Sequence, residues 1–506
     1  MGFALSVYAL FCAVLLQDGL RLSGGHLGYP LDDTYIHAAM ARHFVQQGVW
    51  GVTQEGFTSS TSSPLWTLLL ALAYRLGGVN EWAPLALNLV CGGLVVGLCF
   101  FLLRQAAHGW RLAILLSASI VLTPLPILAL SGMEHTLHSL LTIWFLWEAA
   151  AYLSDPTRAP RRLWLLAALL CATRYEGLFL AGLVSLALCA ARRWRAAFLL
   201  GAAGVSLVSL YGLIALSQGW EFLPNGVWLK GNTPAAWQGT ANFWSRFTDN
   251  WTSAPHLPWL AAAGLFVFAW GEQRGLGGKK ERYRMGLWLA AVLLHLQFAS
   301  VGWFYRYEGY LILAGCVLLA ELLARLLDSL AESGWLARAA ALAALAGAAW
   351  LCLGPLAGRT QRALRDYPLA VKNIYEQQYQ MGLFVQRYYQ GKAVAANDIG
   401  AINYLADLKL LDLYGLGSLE VAQAKRRGEF DREQVRALGR AHQVEIIIIY
   451  NTWFEGKIPE EWQEVGQWQI SDNVVCGSDT VSFYAPDASR REEIRAQLEE
   501  FGGSGK

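Results

Sequence analysis

Charge is the first thing this chain is short of. Asp, Glu, Lys and Arg make up 15% of its 506 residues, where a soluble domain carries about 25%. The net charge of +2 is too small to hold a nucleic-acid backbone, so no nucleic-acid partner is expected. Cysteine chemistry is thin as well. Of eight cysteines, seven (Cys12, Cys91, Cys99, Cys171, Cys189, Cys316 and Cys352) fall in apolar stretches, and Cys476 stands alone in the polar C-terminal region. That leaves no disulfide within that region and no C-x-x-C spacing for a metal. No Gly-rich phosphate loop is present, so a nucleotide-sugar site is not expected. No cofactor is required by these residues, and nothing in them demands a divalent metal.

What is abundant is apolar length: 55% of the chain is hydrophobic. From Met1 to about Gly354 long apolar runs alternate with short polar gaps, and from Gly358 onward the composition is that of a soluble domain. A helix needs about 20 apolar residues to cross the hydrocarbon. Spans are expected near Phe3–Leu20, Trp82–Leu103, Leu112–Leu130, Thr136–Leu153, Leu163–Thr173, Gly177–Ala190, Ala196–Leu216, Leu257–Trp270, Met285–Val301, Tyr310–Leu327 and Trp335–Leu353. Leu163–Thr173 and Gly177–Ala190 are short, and read either as a hairpin of two helices or as one helix interrupted at Arg174–Glu176. Pro64–Leu76 is too short to cross and is expected to lie along the interface. The expected fold class is an α-helical polytopic membrane protein, with about eleven transmembrane helices plus interfacial helices and a C-terminal exoplasmic α/β domain. Residues 1–357 form the membrane domain, with 18–81 its first outer loop. Residues 358–501 form the outer domain, and 502–506 a flexible tail or scar. The first span lacks a basic n-region and a small-residue cleavage site, so it is expected to be retained.

Lys and Arg sort by side. With the N-terminus cytoplasmic and Pro64–Leu76 not crossing, fifteen basic residues fall in cytoplasmic loops, including Arg192, Arg193 and Arg195 and the run Arg274, Lys279, Lys280, Arg282 and Arg284. Seven fall outside: Arg21, Arg42, Arg75, Arg174, Lys230, Arg246 and Arg306. Letting Pro64–Leu76 cross would reverse the bias. The pattern therefore selects an odd number of spans and puts the C-terminal domain outside, with the lipid bilayer as a partner of the whole chain.

Polar residues gather on that outer side. Asp32 and Asp33 follow Pro30 and begin a helix-like stretch from Tyr35 to Gln47. Acidic residues suit a helix N-terminus, so one reading is an N-cap. The other is that one carboxylate is a general base at the membrane surface, where a partly dry site tunes its ionisation. The Ser and Thr residues of 58–63 read as a turn and cap ahead of Pro64, with sugar binding as the alternative. Glu134 and His135, Arg174 and Glu176, and Arg306 and Glu308 recur at outer span ends. Ionisable groups at that depth are expensive and usually functional; the alternative is that each arginine pairs the carboxylate two residues on. An outer loop rich in tryptophan (Trp220, Trp228, Trp237, Trp244, Trp251) carries Asn225 and Lys230, the lysine a point charge suited to a phosphate. In the outer domain, Ala393–Ala396, Leu408–Leu413 and Glu445–Tyr450 read as strands, and Ile399–Leu405 and Arg432–His442 as helices. Asp398, just after a strand, reads as the cap of the helix that follows, with a catalytic role as the alternative.

Taken in order, Asp32–Ile36, Ser62–Trp66, Ser131–Glu134, Thr173–Gly177, Leu223–Asn225 and Asp398–Tyr404 resemble the motifs D-D-x-Y-I, T-S-P-L-W, S-G-x-E, T-R-P-E-G, L-P-N and D-x-G-A-x-x-Y of bacterial members of the GT-C superfamily of membrane glycosyltransferases. That superfamily includes protein O-mannosyltransferases, lipid A aminoarabinose transferases and mycobacterial arabinofuranosyltransferases. Tyr175 stands where Pro is usual, and the run before Arg306 departs from the usual one, so the sugar is not carried over. The resemblance implies a multi-pass protein of a bacterial plasma membrane. It also implies inverting transfer of a sugar from a polyprenyl-phosphate donor to an acceptor hydroxyl on an envelope glycan, lipid or protein. Asp32, or else Asp33, would be the base. Arg174, Lys230 and Arg306 would hold the leaving phosphate. Glu134, His135, Glu176, Glu308, Tyr35 and Asn225 would contact substrate.

Two other classes compete. A transporter would explain many spans, but its ionisable groups belong near the midplane and its halves usually repeat, and neither holds here. A non-catalytic envelope-assembly protein would keep the scaffold without needing Asp32.

Overall fold

The computed structural model of the chain describes residues 1–230 and 239–503, apart from the side chains at 228, 230, 239–243 and 503. It divides into two compact units. One comprises Met1–Leu15, Leu85–Leu210 and Gly231–Arg365, and the other Leu16–Pro84, Tyr211–Lys230 and Asp366–Lys506.

The first unit is helical. The expected spans fall on helix, except that the one drawn to Val301 stops at Phe298 and the third is interrupted. Among the described residues, five stretches are long and apolar enough to cross a membrane unaided: Gly2–Leu22, Trp82–Leu103, Trp194–Ser217, Gly309–Ala331 and the run from Trp335 to Tyr388. Gly309–Ala331 is the axis of the packing. Its apolar window is 78% buried, against 22–39% for the other four: it is wrapped by Gly109–Leu122, His135–Ser154, His256–Gln273 and Lys279–Phe298, while the other four keep apolar faces outward, as lipid-facing helices do. His135–Ser154 and Lys279–Phe298 are long helices with more polar faces, and those faces turn inward. Arg284, for example, forks onto Glu321 at 2.5 and 3.2 Å, and Arg325 and Glu281 close the group. The expected third span is corrected: it is two helices, Gly109–Leu122 and Leu125–Leu130, because Pro124 has no N–H to continue the ladder. Leu163–Thr173 and Gly177–Ala190 are resolved as a hairpin of two short helices, Arg161–Thr173 and Gly177–Ala190.

The second unit joins Leu16–Pro84 to the C-terminal domain. The Asp32–Gln47 helix starts at Asp32 itself, and its cap residue Leu31 makes no side-chain bond. The N-cap reading of the acidic pair is thus corrected: both carboxylates lie in the first turn, where the helix dipole still favours them. The helix stops at Gly48, whose left-handed φ of 73° returns its N–H to His43 and Phe44 carbonyls. The Pro64–Gly77 helix is capped as expected, Ser63 accepting the Trp66 N–H with Pro64 in the first turn. A second correction concerns the entry to the outer domain. The last apolar helix does not end near Leu353 but continues from Trp335 to Ile374, passes into a π-helical turn at Tyr375–Tyr379 and resumes at Gln380–Tyr388.

The sheet of this unit has five strands, β1 (Ala393–Ala396), β2 (Lys409–Asp412), β3 (Ile446–Ile449), β4 (Gln463–Gln469) and β5 (Thr480–Ala485), in the order β2-β1-β3-β5-β4. The first three are parallel, and β5 and β4 add an antiparallel edge. β1 and β3 are buried along their whole length, which is why they read as unbroken apolar runs. The strand order reverses direction between β1 and β3, the place where an open α/β sheet presents its crevice.

Candidate functional site

Two clusters of polar side chains stand out, one in each unit. In the second unit the segment following β1 meets Asp32, and Tyr450, following β3, meets Asp398. Both carboxylate oxygens of Asp32 accept backbone N–H groups, from Gly400 at 2.7 Å and Ala401 at 2.8 Å. These are the first amides of the Gly400–Leu405 helix, which has no cap from its own flanking side chains. The expected capping role of Asp398 is therefore corrected: Asp32 does that work from 368 residues away. Gly400 is required by the approach, since a Cβ there would sit 2.1 Å from the Asp32 backbone oxygen and 2.8 Å from its Cγ.

Asp398 has donors of its own. Its Oδ2 accepts from Gln378 Nε2 at 2.8 Å and from the Tyr450 hydroxyl at 2.5 Å. Gln377 and Gln378 belong to the π-helical turn, and Gln377 Oε1 lies 2.7 Å from the same hydroxyl. A π turn carries one extra residue, which brings both glutamines to the crevice; such turns recur at functional sites. Burial, then the Asp398 carboxylate, push the Asp32 carboxyl up to about 7, against the pull of the two backbone N–H groups. Asp33 neighbours it and adds a smaller push. Tyr35 is 1% exposed, packed among Tyr29, Tyr379 and Tyr404, and so serves the aromatic core. Asn225 is also buried, its Nδ2 bonded to the Gly415 carbonyl at 2.8 Å and its N–H to that of Ser59. It ties the outer loop to the segment after β2.

In the first unit Arg174 sits between two carboxylates. It meets Glu134 at 2.6 Å, and forks onto Glu176 at 2.6 and 3.2 Å. Glu134 is wholly buried and Arg174 is 9% exposed. Burial alone would raise the Glu176 carboxyl, but Arg174 outweighs it and holds that group at about 2. His135 Nε2 is 3.9 Å from Glu134. The pairing expected for Arg306 and Glu308 takes a different form. Glu308 accepts from His256 at 3.1 Å, Arg359 at 3.3 Å and the Gly302 N–H at 2.9 Å. The Arg306 guanidinium, 2% exposed, lies against the Met133 sulfur and 5.0 Å from the Tyr307 ring, which Arg174 also faces. Lys230 and Trp228 close the Asn225–Lys230 helix, but their side chains, like residue Trp237, lie outside the described residues.

Gln377, Gln378, Tyr450, Gly400, His256 and Arg359 went unnoticed in the sequence reading. Arg359 has a signal: a charge just past the last apolar run. Gly400 had one too, in the motif that begins at Asp398. The glutamines had none, since helical periodicity does not announce a π turn.

With this geometry in view, the similarities are instructive. Residues 372–484 match the family model described as a domain of unknown function, DUF8728. No curated protein sequence matches the chain. Among solved structures, the chain is similar to ArnT from Cupriavidus metallidurans bound to undecaprenyl phosphate, with 14% identity, a TM-score of 0.51, and coverage of 95% of this chain and 98% of that one. The apo state of the same protein gives 15% identity and a TM-score of 0.53 over the same coverage. The oligosaccharyltransferase of Archaeoglobus fulgidus in its apo form is 10% identical over 99% of this chain and 78% of that one, with a TM-score of 0.48. A likeness that runs along nearly the full length of both chains is one of architecture: this polytopic helical chain with its small C-terminal α/β domain has the fold of the ArnT structures.

Proposed function

We propose that this protein is an inverting glycosyltransferase that moves a sugar from a polyprenyl-phosphate donor to an acceptor hydroxyl on a cell-envelope glycan, lipid or protein at the outer membrane face. The observation that carries this reading is Asp32: an acidic side chain in the first outer loop, held in one orientation by two amides and tuned to about 7. A general base works best with an ionisation near the working pH. In the reaction Asp32, or else Asp33, takes the acceptor proton as the acceptor oxygen forms its bond to the anomeric carbon. The bond from that carbon to the donor phosphate oxygen breaks on the opposite face, and the lipid phosphate leaves with the electron pair. Arg306 and Lys230 are assigned to the charge that develops on that phosphate. Arg174, already fixed by Glu134 and Glu176, is preorganised for the same task, and Glu308 and His135 are assigned to sugar hydroxyls. The ArnT structure was solved with undecaprenyl phosphate, which supports this class of carrier.

Mass spectrometry of envelope glycans, lipids and proteins from cells lacking the protein should show one missing sugar, restored by the wild-type gene and not by Asp32→Asn. An unchanged envelope would remove the proposal. Restoration by Asp32→Asn would leave a non-catalytic assembly role. Orientation has its own check: a phosphatase reporter fused after Phe501 should be active only outside the cytoplasm, and cytoplasmic activity would put Asp32 on the wrong face. For the phosphate, Arg306→Ala and Lys230→Ala should each weaken binding of bare polyprenyl phosphate by about ten-fold, the worth of one charge-assisted contact. Arg306→Lys should recover only part, because an ammonium offers no bidentate fork. Undiminished binding in both Ala variants would detach these cations from the donor.

A further inference from the structure

We infer that Asp398 and Gly400 of the C-terminal domain are positioning residues for Asp32, acting on it in opposite senses. Gly400 brings two amides onto its carboxylate, and Asp398 sets a second carboxylate beside it. The inference rests on the reading of Asp32 as the base and goes beyond it, because it makes the outer domain a working half of the catalytic apparatus.

The geometry supports each half separately. Gly400 and Ala401 donate to the two different oxygens of Asp32. An ionised carboxylate accepts both bonds, whereas a protonated one surrenders an oxygen to its own proton, so the pair of amides favours ionisation. The close approach exists only because residue 400 has no side chain. Asp398, two residues before Gly400, has Gln378 and Tyr450 donating to its Oδ2. Those contacts hold the Asp398 carboxyl in one orientation, two residues from the amides that hold Asp32. A charged Asp398 beside a half-dry Asp32 opposes a second negative charge, as in carboxyl pairs that share one proton. The other titratable groups that face Asp32 do not substitute for it. Asp33 is on the same helix and is a weaker influence. Tyr450 and Cys476 are held far toward their neutral forms by burial. Asp32 thus rests between two amides that favour its charge and one carboxylate that opposes it, and the balance leaves it able both to take a proton and to give it up.

The test uses the full chain in detergent and needs no sugar donor. Infrared difference spectroscopy follows protonated carboxyl groups against pH, and the Asp32 band is the one that Asp32→Asn removes. In the wild type that band should disappear through about pH 7. In Asp398→Asn, which keeps the acceptor for Gln378 and Tyr450 but removes the charge, the midpoint should move down. Each unit of movement gives about a ten-fold larger ionised fraction at pH 5. In Gly400→Ala, whose Cβ must push the two amides away, the midpoint should move up. A residue that merely held the fold together would lower thermal stability and leave the midpoint in place. Midpoints unmoved in both variants, or moved in the same direction, would overturn the inference. If one variant does not fold, the direction of the other decides. Failure of the base reading shows elsewhere, as undiminished glycosyl transfer by Asp32→Asn, so the two are separable.

Discussion

Asp32→Asn is expected to lower turnover by about two to four orders of magnitude, the range for loss of a positioned general base, while leaving affinity for the lipid donor nearly unchanged. A base acts chiefly in the transition state, so its loss falls on kcat. Asn keeps the shape but has one acceptor oxygen, so one of the Gly400 and Ala401 amides loses its partner. That costs about 1–2 kcal/mol of stability, too little to explain a large loss of rate. Asp33→Asn leaves both amide bonds in place and should damage activity less. The wild-type pH dependence follows from the same group. Its carboxyl is raised from 3.8 to about 7 in the fold. Its contribution to stability is therefore complete below about pH 4 and is lost as pH rises through 7, whereas the active, ionised fraction rises across the same window. Rate and thermal stability, measured between pH 5 and 8, should move in opposite directions. A rate that is flat across that interval, or an Asp32→Asn enzyme with near-normal kcat, would assign the base elsewhere.

The second large effect is expected at Arg174. Truncation to Ala leaves buried Glu134 and half-buried Glu176 without the cation they share. Breaking a buried pair in this way typically costs about 3–5 kcal/mol, enough to appear as a large drop in the unfolding temperature in detergent. Arg174→Lys should recover only part of it, because one ammonium cannot fork onto Glu176 and reach Glu134 together. Replacing all three residues by neutral ones of similar size, Arg174→Met with Glu134→Gln and Glu176→Gln, should be far milder than Arg174→Ala alone. If Arg174→Ala unfolds at the wild-type temperature, the carboxylates are solvated or protonated in its absence and the trio does not hold this unit together.

Much of the fold was legible because lipid imposes a simple rule on sequence. A backbone in hydrocarbon must satisfy itself, so the helices announce themselves as apolar runs, and Trp82–Leu103 and Gly177–Ala190 were placed to the residue. The runs failed as guides where the chain leaves the hydrocarbon. Past Leu353 the composition changes sign while the helix continues to Ile374, because helical hydrogen bonding does not depend on which solvent surrounds it. β1 and β3 were readable as buried apolar runs. β4, with one face open and the sequence Gln463–Gln469, carries no such signal. The candidate site was readable in its members but not in its partnerships. Asp32, Arg174, Glu176 and Glu308 drew notice because charge near a membrane is costly. Which charge answers which depends on packing, and Glu308 is answered by Arg359 and His256, not by the arginine two residues before it.

The bond from Asp32 to Gly400 also sets a timetable. The second unit is made of residues 16–84, 211–230 and 366–506, and the two ends of that bond are separated by 368 residues. Ribosomes add about 5–20 residues each second, so after the acidic pair has been made it waits roughly 20 to 70 seconds for the amides that will hold it. During that interval the Asp32–Gln47 and Pro64–Gly77 helices, with Tyr35, Trp66 and Tyr74 due to be buried, lack most of their eventual core. An interfacial resting place on the bilayer suits such helices. The amides of Gly400 and Ala401, made long after Asp32, complete the hold on the first loop.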